Sequence, residues 1–122
     1  MQCPKCTQAM TAVTYDETTV DRCTDCGGIW FDAHERETLL TARGGVRAVD
    51  TGDPTVGQRM NERDRISCPR CTTQMVRMVD QDRPDIRYEQ CAVCGGSFLD
   101  AGELLDLNRM TLSRILQNLL SV

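Results

Sequence analysis

Eight cysteines stand in four C-x-x-C pairs, and the pairs fall into two copies of one pattern. The first copy runs Cys3-Pro4-Lys5-Cys6, sixteen residues, then Cys23-Thr24-Asp25-Cys26-Gly27-Gly28. The second runs Cys68-Pro69-Arg70-Cys71, nineteen residues, then Cys91-Ala92-Val93-Cys94-Gly95-Gly96, and no cysteine is left over. Thiolates in paired C-x-x-C knuckles at this separation are a zinc-binding spacing. Cys3, Cys6, Cys23 and Cys26 are expected to hold one ion, and Cys68, Cys71, Cys91 and Cys94 a second, giving two Zn²⁺ per chain. Four thiolates also suit iron, and a colourless purified protein would favour zinc.

Other chemistry finds less support. Asp32 with Glu35 and Asp100 with Glu103 could pair as catalytic acids, but their spacing is that of a helix N-cap and its capping-box partner. His34 is the single histidine, and its counterpart in the second copy is Gly102. Because both cysteine sets are complete without it, a surface position on the first helical turn is expected, with no ligand or general-base role. No phosphate loop, nucleophile elbow or open metal site is recognisable, so no catalytic or cofactor-binding residue is assigned and the chain reads as non-enzymatic.

The repeat extends beyond the cysteines, since Gly27 to Glu35 aligns with Gly95 to Glu103 and Met10 with Met75. The chain is an internal duplication whose second copy is three residues longer between knuckles, at an expected hairpin tip. Thr- and Val-rich runs over Met10 to Tyr15 and Thr18 to Arg22, around Asp16-Glu17, predict a hairpin. Met75 to Val79 and Ile86 to Gln90 predict its counterpart, with Pro84 in the turn. Each hairpin would bring its knuckles together around the metal. Trp30 and Phe98 are expected between knuckle and helix, and the double glycines allow a sharp turn at the metal.

Of 122 residues, five are Trp, Tyr or Phe. Units of about forty residues rarely stabilise themselves by burial, so metal must contribute to folding. The expected fold class is a small metal-stabilised α+β. The boundaries are residues 1–43 for the first module with a short helix, 44–66 for a linker, and 67–122 for the second module with a long amphipathic C-terminal helix. The linker holds Gly44-Gly45, Gly52 and Pro54 and reads as a solvated connector. Cys3 lies two residues from Met1, leaving no room for a cleavable leader, and no apolar run reaches membrane-spanning length. These observations, with eight thiols, predict a cytoplasmic protein in which disulfides are not expected.

C-P-x-C, a variable hairpin, and C-x-x-C-G-G-x-aromatic-x-Asp-x-x-Glu together resemble the bacterial zinc-ribbon family named for its similarity to the zinc ribbon of transcription factor IIB. The resemblance covers residues 3 to about 40 and 68 to about 107. It implies two tandem zinc ribbons, each knuckle, β-hairpin, knuckle and α-helix, and a connection to transcription. The second copy keeps the family ending as Asp100-Ala101-Gly102-Glu103-Leu104, whereas the first reads Asp32-Ala33-His34-Glu35-Arg36.

Charge bears on partners. Fourteen basic against eighteen acidic residues give −4, and eight thiolates with two Zn²⁺ take the loaded chain to about −8. A nucleic-acid binder usually presents a basic patch. Only Arg43 to Ser67 is locally basic, with five arginines against four acids, and Lys5 and Arg70 in the knuckles are the residues placed to meet phosphate. From Ala101 to about Leu120 the chain predicts a helix about 30 Å long. Leu105, Leu112, Ile115 and Leu119 form an apolar stripe widened by Leu116 and Leu120, with Asn108 in the seam. This stripe must find another surface, which is the first module of the same chain, a second copy of the chain or a different protein, and a protein partner or homo-oligomer is the expectation carried forward. Nucleic-acid binding and a zinc–thiol redox switch are the alternatives.

Overall fold

The structure is a computed structural model that describes residues 1–120, apart from the side chains of residues 110–118. Strands β1 (Met10–Tyr15) and β2 (Thr18–Cys23) form the first hairpin and pair in register from Met10↔Cys23 to Tyr15↔Thr18. Asp16 and Glu17 make the two-residue turn, both at positive φ (48° and 70°). That conformation matches the right-handed twist of the flanking strands. Strand β3 (Ile29–Phe31) follows the second knuckle, and then come α1 (Glu35–Thr41), α2 (Gly45–Val49) and α3 (Pro54–Met60). The second copy supplies β4 (Val76–Val79), β5 (Arg87–Gln90), β6 (Ser97–Leu99) and α4 (Glu103–Leu120).

The two halves share one antiparallel sheet of six strands, ordered β1-β2-β3-β6-β5-β4. At its centre Ile29 pairs with Leu99, Trp30 with Phe98 and Phe31 with Ser97. Trp30 and Phe98 are equivalent positions of the repeat, so each residue meets its own counterpart. That reciprocity is the signature of a two-fold relation. The pairing removes the inner edge of both ribbons, which would otherwise present unpaired amides and carbonyls.

Strand alternation sends β3 and β6 side chains to two buried faces. Ile29, Phe31 and Leu99 join Val20, Leu39, Val46, Val49, Ile86, Leu104 and Leu107 under the helices. Trp30 and Phe98 point the other way, into a second cluster with the cysteines, Ile66 and Met75. The aromatic pair therefore lies on the metal face of the sheet and not between knuckle and helix. A Cβ added at Gly28 would stand 2.3 Å from the Phe98 ring, and one at Gly96 would stand 2.3 Å from Trp30. Each module's second glycine is thus the seat of the other module's aromatic ring. Gly96→Ala is expected to lower the stability of the zinc-loaded protein by about 1–3 kcal/mol through overpacking, read as a reduced urea midpoint.

The segment 44–66 departs from a solvated connector. It contains α2 and α3, and Val46 and Val49 are buried in the helix-side cluster. The Val49 carbonyl accepts from Arg22 at 3.0 Å, and the Tyr15 hydroxyl donates to the Arg43 carbonyl. Asp50 caps α4, its carboxylate accepting from the Gly102 amide at 2.9 Å and the Leu105 amide at 3.1 Å. The short α1 leaves sheet surface that α2 covers, which is why two valines with no sustained periodicity become core.

The long terminal helix is present as α4. Its first turns bury Leu104 and Leu107, whereas Leu119 and Leu120 are exposed. Side chains of Leu112, Ile115 and Leu116, on which most of the expected stripe depends, lie outside the described residues.

Candidate metal centres

Each knuckle turns within a few residues of its cysteine pair. The Cys3 amide donates to the Gln8 carbonyl and the Cys68 amide to that of Thr73, both at 2.8 Å, while Thr7 and Thr72 take positive φ. In the second knuckles Gly27 and Gly95 take φ of 75° and 76°, and the Cys23 and Cys91 amides close onto the Gly28 and Gly96 carbonyls. Glycine adopts this left-handed conformation without the penalty a Cβ incurs.

These turns converge the sulfurs. Cys3, Cys6, Cys23 and Cys26 lie with all four Sγ atoms within 4.8 Å of one another, as do Cys68, Cys71, Cys91 and Cys94. Neighbouring sulfurs approach to 3.3 Å for Cys6–Cys23, 3.7 Å for Cys3–Cys26 and 3.8 Å for Cys68–Cys94. All eight cysteines are free of disulfides. Backbone amides point at the sulfurs: those of Asp25 and Cys26 at Cys23, those of Arg70 and Cys71 at Cys68, and that of Gly96 at Cys94.

The electrostatics of the thiols fit a divalent cation. The Cys26 thiol, hydrogen-bonded to Cys3, draws the latter down to about 5, while that same bond, with burial, pushes Cys26 well up and burial pushes Cys6 up to about 11. In the second cluster the Cys94 backbone amide lowers Cys91 to about 6, and desolvation raises Cys68 and takes Cys71 to about 12. Four mutually close thiols resist complete ionisation until a cation neutralises them. Binding therefore releases protons and ties the two knuckles of each module together. Each cysteine set can hold one Zn²⁺, a tetrahedral ion whose four positions the thiolates fill, leaving none for water or substrate.

Around the clusters the charged residues differ from expectation. Asp32 and Asp100 do not cap their helices with their side chains. The other half of the capping box does form, with the Asp32 amide donating to Glu35 at 2.7 Å and the Asp100 amide to Glu103 at 3.1 Å. Burial pushes Glu103 up to about 9, so near neutral pH it accepts this bond as a neutral acid and adds no charge to the helix dipole.

The aspartates instead reach across the two-fold. Lys5 of the first module places its Nζ 2.7 Å from Asp100 and 2.8 Å from Glu89 of the second, with all three side chains fully buried. The Met60 carbonyl also accepts from Lys5, at 3.0 Å. Arg70 of the second module grips Asp32 of the first through two bonds of 2.9 and 3.0 Å, in a half-exposed setting where Trp30 Nε1 also donates to Asp32. The Arg70 guanidinium holds the Asp32 carboxyl below its ordinary value. Lys5 is therefore closed to phosphate, and Arg70 is already partnered.

His34 is exposed at the start of α1 and belongs to neither four-cysteine group, with φ of 75° where its counterpart Gly102 has 89°. Sequence reasoning overlooked Glu89 and Asp50. A charged residue in the middle of a short strand was the available signal for Glu89. Asp50 offered none, because its partner amides are more than fifty residues away.

Two four-cysteine sites on paired hairpins define a tandem zinc-ribbon protein. The chain belongs to the transcription factor zinc-finger family, whose model matches residues 2–42 and 67–110. No curated protein and no solved structure matches the chain.

Proposed function

We propose that the chain is a non-enzymatic zinc-binding adaptor that acts through protein–protein contact or self-association. The observation that carries this reading is α4, which runs eighteen residues and leaves Leu119 and Leu120 exposed at its end. Large apolar side chains held out on a helix are suited to another protein surface. The closed four-thiolate sites support a structural use of zinc and leave no coordination position for catalysis. A role in transcription rests on the family description alone. No helix among the described residues is long and apolar enough to cross a membrane, and eight thiols available for metal suit a reducing compartment such as the cytoplasm.

Direct nucleic-acid binding draws less support, because Lys5 is buried, Arg70 is paired and the chain is acidic. A redox switch would work by oxidising cysteines and ejecting zinc, and nothing in the site favours it over a structural role. Native mass spectrometry of the reduced protein and of a Leu119→Asp/Leu120→Asp variant tests the adaptor. Both should carry two zinc ions, and the variant should lose the self-association or partner capture that the parent shows. Equal assembly and equal capture by the two proteins would overturn the use of α4.

A further inference from the structure

The two-fold relation is broken by the linker, which lies on one side only. At that side Gly52 packs backbone to backbone on Gly27, with its Cα 2.8 Å from where a Cβ would stand. Gly57 lies on Ala101, Pro54 covers Gly102, and Val56 and Met60 pack against the apolar cluster that contains Cys26. Among the described residues, the equivalent side has no such cover. Gly27, Ala101 and Gly102 are buried, whereas their counterparts Gly95, Ala33 and His34 are exposed. The same holds for the ion pairs: Lys5–Asp100 is sealed, and Arg70–Asp32 is about half exposed. Around Gly95 the only atom near an added Cβ is that of Ala33, at 3.4 Å. The result is a groove of about 410 Å³ whose floor includes Ala33, His34, Val93, Cys94 and Gly95 and whose wall carries the charged Asp32, Arg36 and Glu37, with Val93 70% exposed at its edge.

We propose that this groove is the docking site for a short helical segment of a partner protein that repeats, on the open side, the packing of residues 52–60, which include α3, on the closed side. This rests on the adaptor reading and names its site. The chain's own linker defines the occupant's chemistry. A glycine must lie over Gly95, because the covered side admits only backbone there. A second glycine five residues on must lie over Ala33, as Gly57 lies over Ala101. Apolar residues in the places of Val56 and Met60 would lie beside Cys94, the counterpart of Cys26, with Val93 standing where the covered side has Asp25. The position of Pro54 must be small, because His34 carries a side chain where Gly102 has none. A second copy's linker cannot serve, since that segment is held in its own chain by the Asp50 bonds to α4.

The probe is a synthetic peptide of residues 50–61 carrying Pro54→Ala, titrated into the full, zinc-loaded, ¹⁵N-labelled chain. Saturable shifts are expected at the amides of Ala33, Val93 and Gly95, with no change in zinc content. Ala33→Arg, which fills the groove from an exposed position, should weaken binding at least tenfold, and Val93→Asp provides a second variant should the first lose metal. Replacing both peptide glycines by valine should abolish the shifts. Absence of saturable shifts at these amides, binding unaffected by either substitution, or equal binding by the valine peptide would overturn the proposal. None of these outcomes touches the α4 assay, because Leu119 and Leu120 do not line the groove.

Discussion

Cys23→Ser unfolds both halves of the chain and not the first alone. The substitution removes one of four ligands, and structural zinc contributes on the order of 10–16 kcal/mol of apparent binding free energy in small metal domains. That exceeds or equals the whole stability of a typical domain, about 5–15 kcal/mol. Independent ribbons would confine the damage to the mutated one. Here β3 pairs with β6, Trp30 rests on Gly96, Phe98 rests on Gly28, and Lys5 neutralises Asp100 across the boundary. Each of these bonds is lost to the second module when the first unfolds. Chelator titration of the parent protein should therefore show one cooperative transition by circular dichroism, with both ions released together. In Cys23→Ser the second site should bind zinc at least tenfold more weakly than in the parent. A variant that keeps one zinc at parental affinity, with native amide shifts for residues 67–110, would refute this coupling.

Lys5→Met should cost about 3–5 kcal/mol, as expected when one partner of a buried ion pair is removed and its counter-charge is left behind. Glu89 and Asp100 are both buried beside Lys5, and desolvation already pushes Glu89 up to about 7 and raises Asp100 despite that cation. Removing the ammonium raises both further. The sign of the pH effect follows from proton counts. Between the ordinary value of 4.5 and about 7 the native state holds a proton on Glu89 that the unfolded chain has released. Stability from this group therefore falls as pH rises through that window. In the variant the window extends upward, so the deficit relative to the parent should be larger at pH 8 than at pH 6. Arg70→Met is the internal control. Its pair with Asp32 is half exposed, and exposed pairs are worth about 0–1 kcal/mol. Urea unfolding of zinc-loaded proteins at the two pH values separates these expectations, and equal losses for the two variants would contradict the difference in burial.

Local features were readable from residue types because their causes are local. Asp16-Glu17 between two Thr/Val runs signals a tight hairpin, and the C-x-x-C-G-G segments signal knuckles, since turn chemistry acts over a few residues. The metal ligands were legible for the same reason. The central pairing of β3 with β6 was not. Three-residue strands buried on both faces, Ile29–Phe31 and Ser97–Leu99, are too short to show alternation, and a short apolar run is ambiguous without its context. The aspartate at position 100 also misled. Its spacing to Glu103 fits a capping box, yet a lysine ninety-five positions away takes its carboxylate. Burial of Lys5 and the capping of α4 by Asp50 are products of chain topology, which no window of local sequence contains.

The reciprocal pairing of Trp30 with Phe98 also bears on how the molecule responds to dilution. Two separate ribbons meeting along that strand would be a dimer, present only above its dissociation constant. Joined by residues 44–66, each ribbon sees the other at an effective concentration on the order of millimolar. The sheet therefore assembles as readily at trace protein levels as at high ones. Its formation responds to zinc supply and not to how much of the chain is made.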